Sequence, residues 1–384
     1  MWYYSVTMSS APNVLLNAFT RQWRVIEAEV LATVQRVGAS GWYILGSEVR
    51  QFEDELARVW GVDFTVGVGN GLDALEIALR CAGLQPGEKV LTTPLSAFAT
   101  TLAIVRAGGI PVFVDVDESG LLDLDLCQRV LSQDPLVRWL LPVHLYGHPL
   151  DLEALEELEK RFEVSIVEDC AQSILARSRG RATGTVGRVA ATSFYPTKNL
   201  GALGDGGAVL TRDKSMAERA RALRHYGQTA TYIHDYLGLN SRLDELHAAV
   251  LRSVLLPRLP DWTARRRSIA AAYRQGITHK KIILPRLPVG SESVWHLFPV
   301  IVAPSLRSHF VEHLRKRGVQ TGAHYPRLIP HQRGLLDSAK FEVIGELSIA
   351  ERFALGEVSL PIHPFLTDEE VTTVIEACNS WRPR

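Results

Sequence analysis

Between about residue 60 and residue 212, short runs of branched apolar residues recur at even intervals, with amphipathic stretches of helical period between several of them. The runs are Thr65–Gly69, Val90–Thr93, Ile110–Val116, Trp139–Leu145, Val164–Glu168, Val189–Tyr195 and Ala208–Thr211. Each is short and almost continuously apolar, the pattern of a strand buried on both faces. In Leu72–Cys81, Leu72, Leu75, Ala78 and Leu79 share one face, and Asp73, Glu76 and Arg80 share the other. Asp151 is placed to cap a helix over Leu152–Phe162, where Leu152, Leu155 and Leu158 repeat at helical spacing. Strands alternating with helices predict an α/β fold with a mainly parallel sheet covered on both sides. Ligands of such sheets sit beyond the carboxyl ends of the strands, so the strand-to-helix loops are where chemistry is expected.

After about residue 250 the pattern changes. A basic helical stretch (Arg258, Arg265, Arg266, Arg267) leads to an expected strand, Trp295–Val302, and a helix near Ser305–Arg317. A last helix is expected from Thr367, since Thr367 and Glu370 have capping-box spacing. A length of 384 residues allows two or three domains. We expect a large unit over 1–250 and a small α/β unit over 251–384. Forty-two basic residues cancel forty-two acidic ones, leaving no electrostatic footprint for nucleic acid or an anionic membrane. Cys81, Cys127, Cys170 and Cys378 are too scattered for a disulfide framework or a paired-cysteine zinc site. The start, MWYYSVTMSS, lacks the pattern of a signal peptide, and no apolar run approaches membrane-spanning length. A reducing cytoplasm is the expected compartment.

Three loops carry residues suited to chemistry. Gly67-Val68-Gly69-Asn70-Gly71-Leu72-Asp73 is a glycine-rich turn opening a helix, where unpaired amides and the positive dipole end suit an anion. Leu72 stands where a dinucleotide fingerprint needs a third glycine, and no Gly-Lys-Ser/Thr follows. The turn is either merely tight or a phosphate monoester site. Glu168-Asp169-Cys170-Ala171-Gln172 sets an acid at a strand mouth, read either as a solvated cap or as a carboxylate held beside a cation. Cys170 reads as packed rather than reactive. Ser193-Phe194-Tyr195-Pro196-Thr197-Lys198-Asn199-Leu200-Gly201 delivers one lysine from an apolar strand into a loop of small residues. A desolvated lysine loses basicity and becomes a nucleophile toward aldehydes. An aspartate that pairs with a pyridinium nitrogen is its usual companion in pyridoxal phosphate enzymes. Lys198 and Asp169 fit that pair, with phosphate at Asn70–Leu72 and Ser193. His144 and His148 are four apart with no third ligand in reach, so no metal is expected.

Asp169-Cys170-Ala171-Gln172 followed by Ser193 to Gly201 closely resembles the DegT/StrS nucleotide-sugar aminotransferases. The resemblance extends through Val143-His144-Leu145-Tyr146-Gly147, Leu239 to Asp244, Tyr325-Pro326 with His331-Gln332, and Ser359-Leu360-Pro361. It implies the aspartate-aminotransferase-like architecture of pyridoxal phosphate fold type I. It also implies that Lys198 carries pyridoxal 5'-phosphate as a Schiff base and that Asp169 pairs with the ring nitrogen. Gln172 would contact the ring-hydroxyl side, and Ser193, Gly71 and the Leu72 backbone the phosphate. The family often has threonine at the position of Leu72, so one hydroxyl contact is missing here. By the same resemblance Asn240 and Arg242 reach the neighbouring subunit's cofactor, implying a homodimer. The ring is stacked from the Pro94–Thr101 loop, by Ala97 or by Phe98. Gly41 to Gly46 and Asn70 to Leu75 look most like the branch aminating carbon 3 of dTDP-linked 3-keto-6-deoxyhexoses, with L-glutamate as donor. Amination at carbon 4 of a UDP- or GDP-linked sugar, and a non-catalytic cofactor-binding regulator, are the alternatives. Lys198 speaks against the related dehydratases, in which histidine replaces the lysine. A nicotinamide-linked oxidoreductase would rest on the glycines at 67–71 alone.

Overall fold

The computed structural model describes residues 13–383. Its centre is an eight-stranded sheet. We label Phe64–Val68 β1, Lys89–Thr92 β2, Ile110–Phe113 β3, Val137–Leu141 β4, Ser165–Asp169 β5, Val189–Ser193 β6 and Gly207–Thr211 β7. Phe298–Ile301 is β8, Glu342–Val343 is β9 and Glu357–Leu360 is β10. The sheet order is β1-β7-β6-β5-β4-β2-β3-β9. The neighbours from β6 to β9 pair in parallel, and β7 alone runs antiparallel, between β1 and β6. In register, Val167 lies opposite Val189, and Val209 lies opposite both Ala191 and Val66. The expected mainly parallel sheet is thus present. All seven expected runs supply its strands, within a few residues of their expected bounds.

Three strands end two or more residues before their apolar runs do; the run expected to extend to Val116 stops at Phe113. The run expected to extend to Leu145 stops at Leu141, because Pro142 cannot donate to a ladder and Tyr146 takes φ 63° in the following turn. The run expected to extend to Tyr195 stops at Ser193. There the amide of Phe194 turns to the carbonyl of Gly206, and its carbonyl accepts from Ala202.

Helices cover the sheet. Phe19–Ser40 is α1, Ser47–Trp60 is α2, Gly71–Ala82 is α3, Phe98–Arg106 is α4 and Leu152–Phe162 is α5. Asp151 caps α5 as expected, its Oδ1 accepting from Glu153 and Ala154. Sequence reasoning passed over α1 and α2, although Val49, Phe52, Leu56 and Trp60 repeat at helical spacing along a buried face. α1 and α2 close one side of the sheet through a cluster that includes Ile26, Phe52, Leu56, Phe194 and Leu210.

Leu259–Gly276 is α6, Arg307–Lys316 is α7 and Asp368–Asn379 is α8, the last opened by the Thr367/Glu370 capping box. A separate apolar cluster joins α6, α7, α8, β8 and β10 around Tyr273, Phe298, Phe310 and Trp381, and Val14 from the other end of the chain belongs to it. Residue 250 lies inside a continuous helical stretch, and Val250 to Leu259 still pack against the α1–α2 side. Further on the chain returns to the sheet. β9 extends its β3 edge, and Ala350 and Phe353 join the main core beneath Asp115, whose carboxylate accepts from the amides of Ile349 and Ala350. Among the described residues no helix is long and apolar enough to cross a membrane.

Candidate active site

Consecutive residues of a strand point to opposite faces, and β5 uses this at Glu168 and Asp169. Glu168 is buried and fully engaged. The amide of Leu150 donates to Nδ1 of His144, so Nε2 carries the proton and donates to Glu168 Oε2 at 2.9 Å. Gly184, Val186 and Gly187 donate backbone amides to the same carboxylate at 2.8–3.1 Å. Burial opposes its charge, but these donors hold its pKa below the ordinary carboxylate value. Cys170 stands within reach of His144 and Glu168 but is a buried thiol, its pKa pushed up by burial and by Glu168. This triad fastens the 184–187 loop.

Asp169 faces the other way. Its Oδ1 accepts from the Ala171 amide at 3.0 Å, and its Oδ2 accepts from Thr100 Oγ1 at 2.9 Å. With Thr100 donating there, Ser96 Oγ donates to Thr100 at 2.9 Å, so a run of hydroxyls points toward the carboxylate. Burial raises the Asp169 pKa, while the amide, the hydroxyl and the Lys198 charge draw it back. Lys198 follows the end of β6 on a turn closed by its own amide to the Tyr195 carbonyl. Desolvation brings its pKa down to about 8 against the opposing pull of Asp169. The expected lysine–aspartate pair is therefore brought together, each group altering the other's charge.

Gln172 is buried beside them. Its Oε1 accepts from the Tyr146 amide at 2.6 Å, and its Nε2 donates to Tyr325 Oη at 3.4 Å. Ser193 and the start of α3 meet so closely that a Cβ on Gly71 would stand 2.6 Å from Ser193 Cβ. A Cβ on Gly207 would stand 2.6 Å from the Asn70 carbonyl carbon, so α3, β6 and β7 converge on one cradle. Asn70 caps α3, Oδ1 accepting from Asp73 at 2.8 Å while its carbonyl accepts from Ala74. The amides of Gly71 and Leu72 are left at the positive helix end. A phosphate fits this cradle, an aldehyde fits Lys198, and a protonated ring nitrogen fits Asp169.

The remaining expected residues lie around these. Ala97 precedes α4 and Phe98 opens it; both are half-buried, and the tip of the Phe98 ring lies 3.8 Å from where a Cβ on Gly334 would be. Asn240 is exposed, its backbone bridged to His225. Arg242 places its guanidinium 3.1 Å from His225 Nδ1 and over the Tyr226 ring. Ser241 between them accepts the Gly69 amide at 3.0 Å, which seats this segment against the glycine-rich turn.

Sequence reasoning assigned no role here to His296 or His324, and none of their own to Ser96, Thr100, Tyr146 and Asn199, although these four lie in segments it singled out. Asn199 Nδ2 donates to the Val294 carbonyl, and its Oδ1 lies 3.2 Å from His296 Nδ1. His324 donates its amide to Glu357 Oε2 at 2.7 Å, and its Nδ1 pairs with Ser359 Oγ at 2.8 Å. Burial pushes the Glu357 pKa up to about 8 and, together with Lys198, that of His324 down to about 4. These contacts join residues 33 to 97 positions apart in the chain, so no local motif announces them.

Residues 24–379 match the DegT/DnrJ/EryC1/StrS aminotransferase family. The chain is 42% identical over 378 residues to a dTDP-3-amino-3,4,6-trideoxy-alpha-D-glucose transaminase of Streptomyces venezuelae, covering 98% of each protein. It is also 42% identical over 352 residues to the erythromycin biosynthesis sensory transduction protein EryC1 of Saccharopolyspora erythraea, covering 91% of this chain and 94% of that one. The crystal structure of S. venezuelae DesV with a ketimine intermediate matches at a TM-score of 0.91 and 42% identity, over 97% of this chain and 99% of that one. The Asp169–Lys198 pair, the glycine cradle at the start of α3 and this agreement from end to end lead to one conclusion: the chain belongs to the DegT/DnrJ/EryC1/StrS aminotransferase family and is a pyridoxal phosphate-dependent transaminase.

Proposed function

We propose that this transaminase transfers the amino group of L-glutamate to carbon 3 of a dTDP-linked 3-keto-6-deoxyhexose. The observation that carries the substrate class is the 42% identity over 98% of the chain to an enzyme named for a dTDP-3-amino sugar. In this reading Lys198 holds the cofactor covalently through Nζ and Asp169 faces its ring nitrogen. Gln172 and Tyr325 lie on the ring-hydroxyl side. Ser193, Gly71 and the amide of Leu72 hold the phosphate, with Asn70 fixing the turn. Phe98 covers the ring face, because Ala97 has no π surface to offer. When bound, the cofactor is an electron sink for the carbon that loses its proton. Nζ of Lys198 moves that proton, and Asp169 keeps positive charge on the ring nitrogen favourable.

Incubation with glutamate and a panel of dTDP-, UDP- and GDP-linked 3-keto and 4-keto sugars, read by product mass, tests the assignment. The dTDP-3-keto sugar should be aminated fastest; a 4-amino product as the main outcome would move the reaction to carbon 4. The name of the EryC1 relative raises the reading of a cofactor-bound regulator. Turnover of any keto sugar in the panel excludes a pure binder.

The depressed Lys198 pKa gives a second measurement. Only the neutral amine attacks an aldehyde, and its fraction grows as pH rises through the pKa. Recombination of apoenzyme with pyridoxal phosphate, followed by absorbance, should therefore accelerate up to about pH 8 and level off above it. A midpoint near the ordinary lysine value of about 10.4 would contradict a desolvated Lys198.

The reading includes a homodimer in which Asn240 and Arg242 face a partner's cofactor. It is supported by large apolar side chains left exposed, among them Trp42, Tyr195, Tyr226, Tyr232 and Leu237. It places the enzyme in the cytoplasm, which suits four buried free thiols. It also divides the chain into a large cofactor unit and a small unit built on the α6–β8–β10 cluster.

A further inference from the structure

Glu357 is a buried acid, 1% exposed, that none of the roles above uses. It lies on β10 two residues before Ser359, so both side chains project from one face of the strand. Gly322 pairs with Ser359 through its backbone, and a Cβ there would stand 2.9 Å from His324 Cε1. The missing side chain leaves the His324 ring room to meet the two β10 side chains. Oε2 of Glu357 accepts the His324 amide at 2.7 Å, and Oε1 meets Ser359 Oγ. Ser359 Oγ in turn lies 2.8 Å from His324 Nδ1. Nε2, at the far end of the ring, has no partner among the described residues, yet it is not among the sealed-off atoms. His324 lines a cavity with room for water, together with His296, Arg266 and Thr197, the residue before Lys198. Nε2 therefore opens onto that cavity.

Two arrangements of hydrogens satisfy this chain of contacts. With Glu357 protonated, Oε1 donates to Ser359, Ser359 donates to Nδ1, and Nε2 carries the ring hydrogen. With Glu357 ionised, every donor reverses: Ser359 donates to Oε1, Nδ1 donates to Ser359, and Nε2 is a bare acceptor. Neither arrangement charges the imidazole. Burial lifts the Glu357 pKa to about 8 and lowers that of His324 to about 4. The Ser359 hydroxyl, the His324 amide and Arg307, whose Nε donates to the Glu357 carbonyl at 2.7 Å, oppose the first of these shifts. The Tyr146 and Tyr325 phenols nearby stay un-ionised. On the cavity side His324 faces Lys198, Arg266 and the uncharged His296.

We propose that Glu357, Ser359 and His324 form a proton relay that takes up the proton Lys198 must shed before its amine can act. The inference rests on the transaminase reading and deepens it. An N–H bond breaks at Lys198 Nζ as His324 Nε2 gains a hydrogen, directly or through water in the cavity. Nδ1 passes its hydrogen to Ser359 Oγ, and Ser359 passes its own to Glu357 Oε1. Ammonium and carboxylate become a neutral amine and a neutral carboxyl, with no electrons exchanged. A desolvated site favours that neutral pair. Glu357 and Ser359 are positioning residues, acting on Lys198 only through His324.

Nitrogen-15 NMR of histidine-labelled holoenzyme without substrate reads the His324 tautomer, with His324→Gln identifying its signals. In wild type the ring should change from the Nε2–H to the Nδ1–H form as pH rises through about 8. In Glu357→Gln it should stay Nε2–H throughout, because the amide must donate to Ser359. Ser359→Ala, which stands in if the glutamine variant does not fold, should likewise free the ring from this pH dependence. Both variants should slow single-turnover conversion by glutamate about a hundredfold, the low end for a positioned proton transfer, with half-saturation little changed. A wild-type ring that holds one tautomer, or one that still flips in Glu357→Gln, overturns the relay. So does a flip that is lost in the variants without any slowing, since the relay would then serve no step. A protein that takes no amino group from glutamate overturns the transaminase reading, while the flip, read without substrate, still decides whether the relay exists.

Discussion

Lys198→Ala should abolish turnover, with a fall of at least about a thousandfold, since one side chain both tethers the cofactor and moves the proton. The expected profile is specific. Circular dichroism and thermal unfolding should match the wild type, because among the described residues the Lys198 side chain makes no hydrogen bond whose loss would unfasten the loop; its turn is closed by backbone. Borohydride reduction of the wild-type holoenzyme, followed by peptide mapping, should place the cofactor-derived mass on the peptide carrying position 198. The variant should show none. A mass on another lysine, or a variant that transaminates at the wild-type rate, would overturn the assignment.

Asp169→Asn should cost about a hundredfold to a thousandfold in kcat, the range found when a preorganised electrostatic partner is removed from a reacting centre. Asparagine keeps the shape but cannot compensate a charged ring nitrogen, and it sets an N–H2 where one oxygen now accepts a hydrogen bond. The same substitution should move Lys198. The Asp169 charge holds the amine's pKa up against burial, so without it the midpoint of cofactor recombination should shift below about 8. A lowered kcat with an unmoved midpoint would mean that the two groups do not share one field. Thr100 and Ser96 act one step back, by orienting the carboxylate.

Much of this was open to reading along the chain. The strands were legible because a strand covered on both faces is mostly apolar, and β1 to β7 are, with charge confined to their ends (Lys89, Glu168, Asp169) and to Arg138. Asp151 and Thr367 announced their helices because a cap is a contact between residues two or three apart. The choice of Asp169 over Glu168 was not visible to period alone. Both are acidic and adjacent, and only the packing of the 184–187 loop on one face and α4 on the other gives them different work.

The sequence by itself thus determined the α/β class, the loops that carry chemistry and the identity of the lysine, because these depend on local period and on residue type. The tertiary structure alone decided what surrounds that lysine. Thr100 meets Asp169 across 69 residues, Gln172 meets Tyr325 across 153, and Arg266 reaches the carbonyl of Ile362 across 96. Such contacts are set by how helices and strands stack once the core closes, so no stretch of neighbouring residues records them. The return of β9 to the sheet edge and the burial of Arg266 are of the same kind. An arginine among four in a basic stretch looks solvated until the fold buries it.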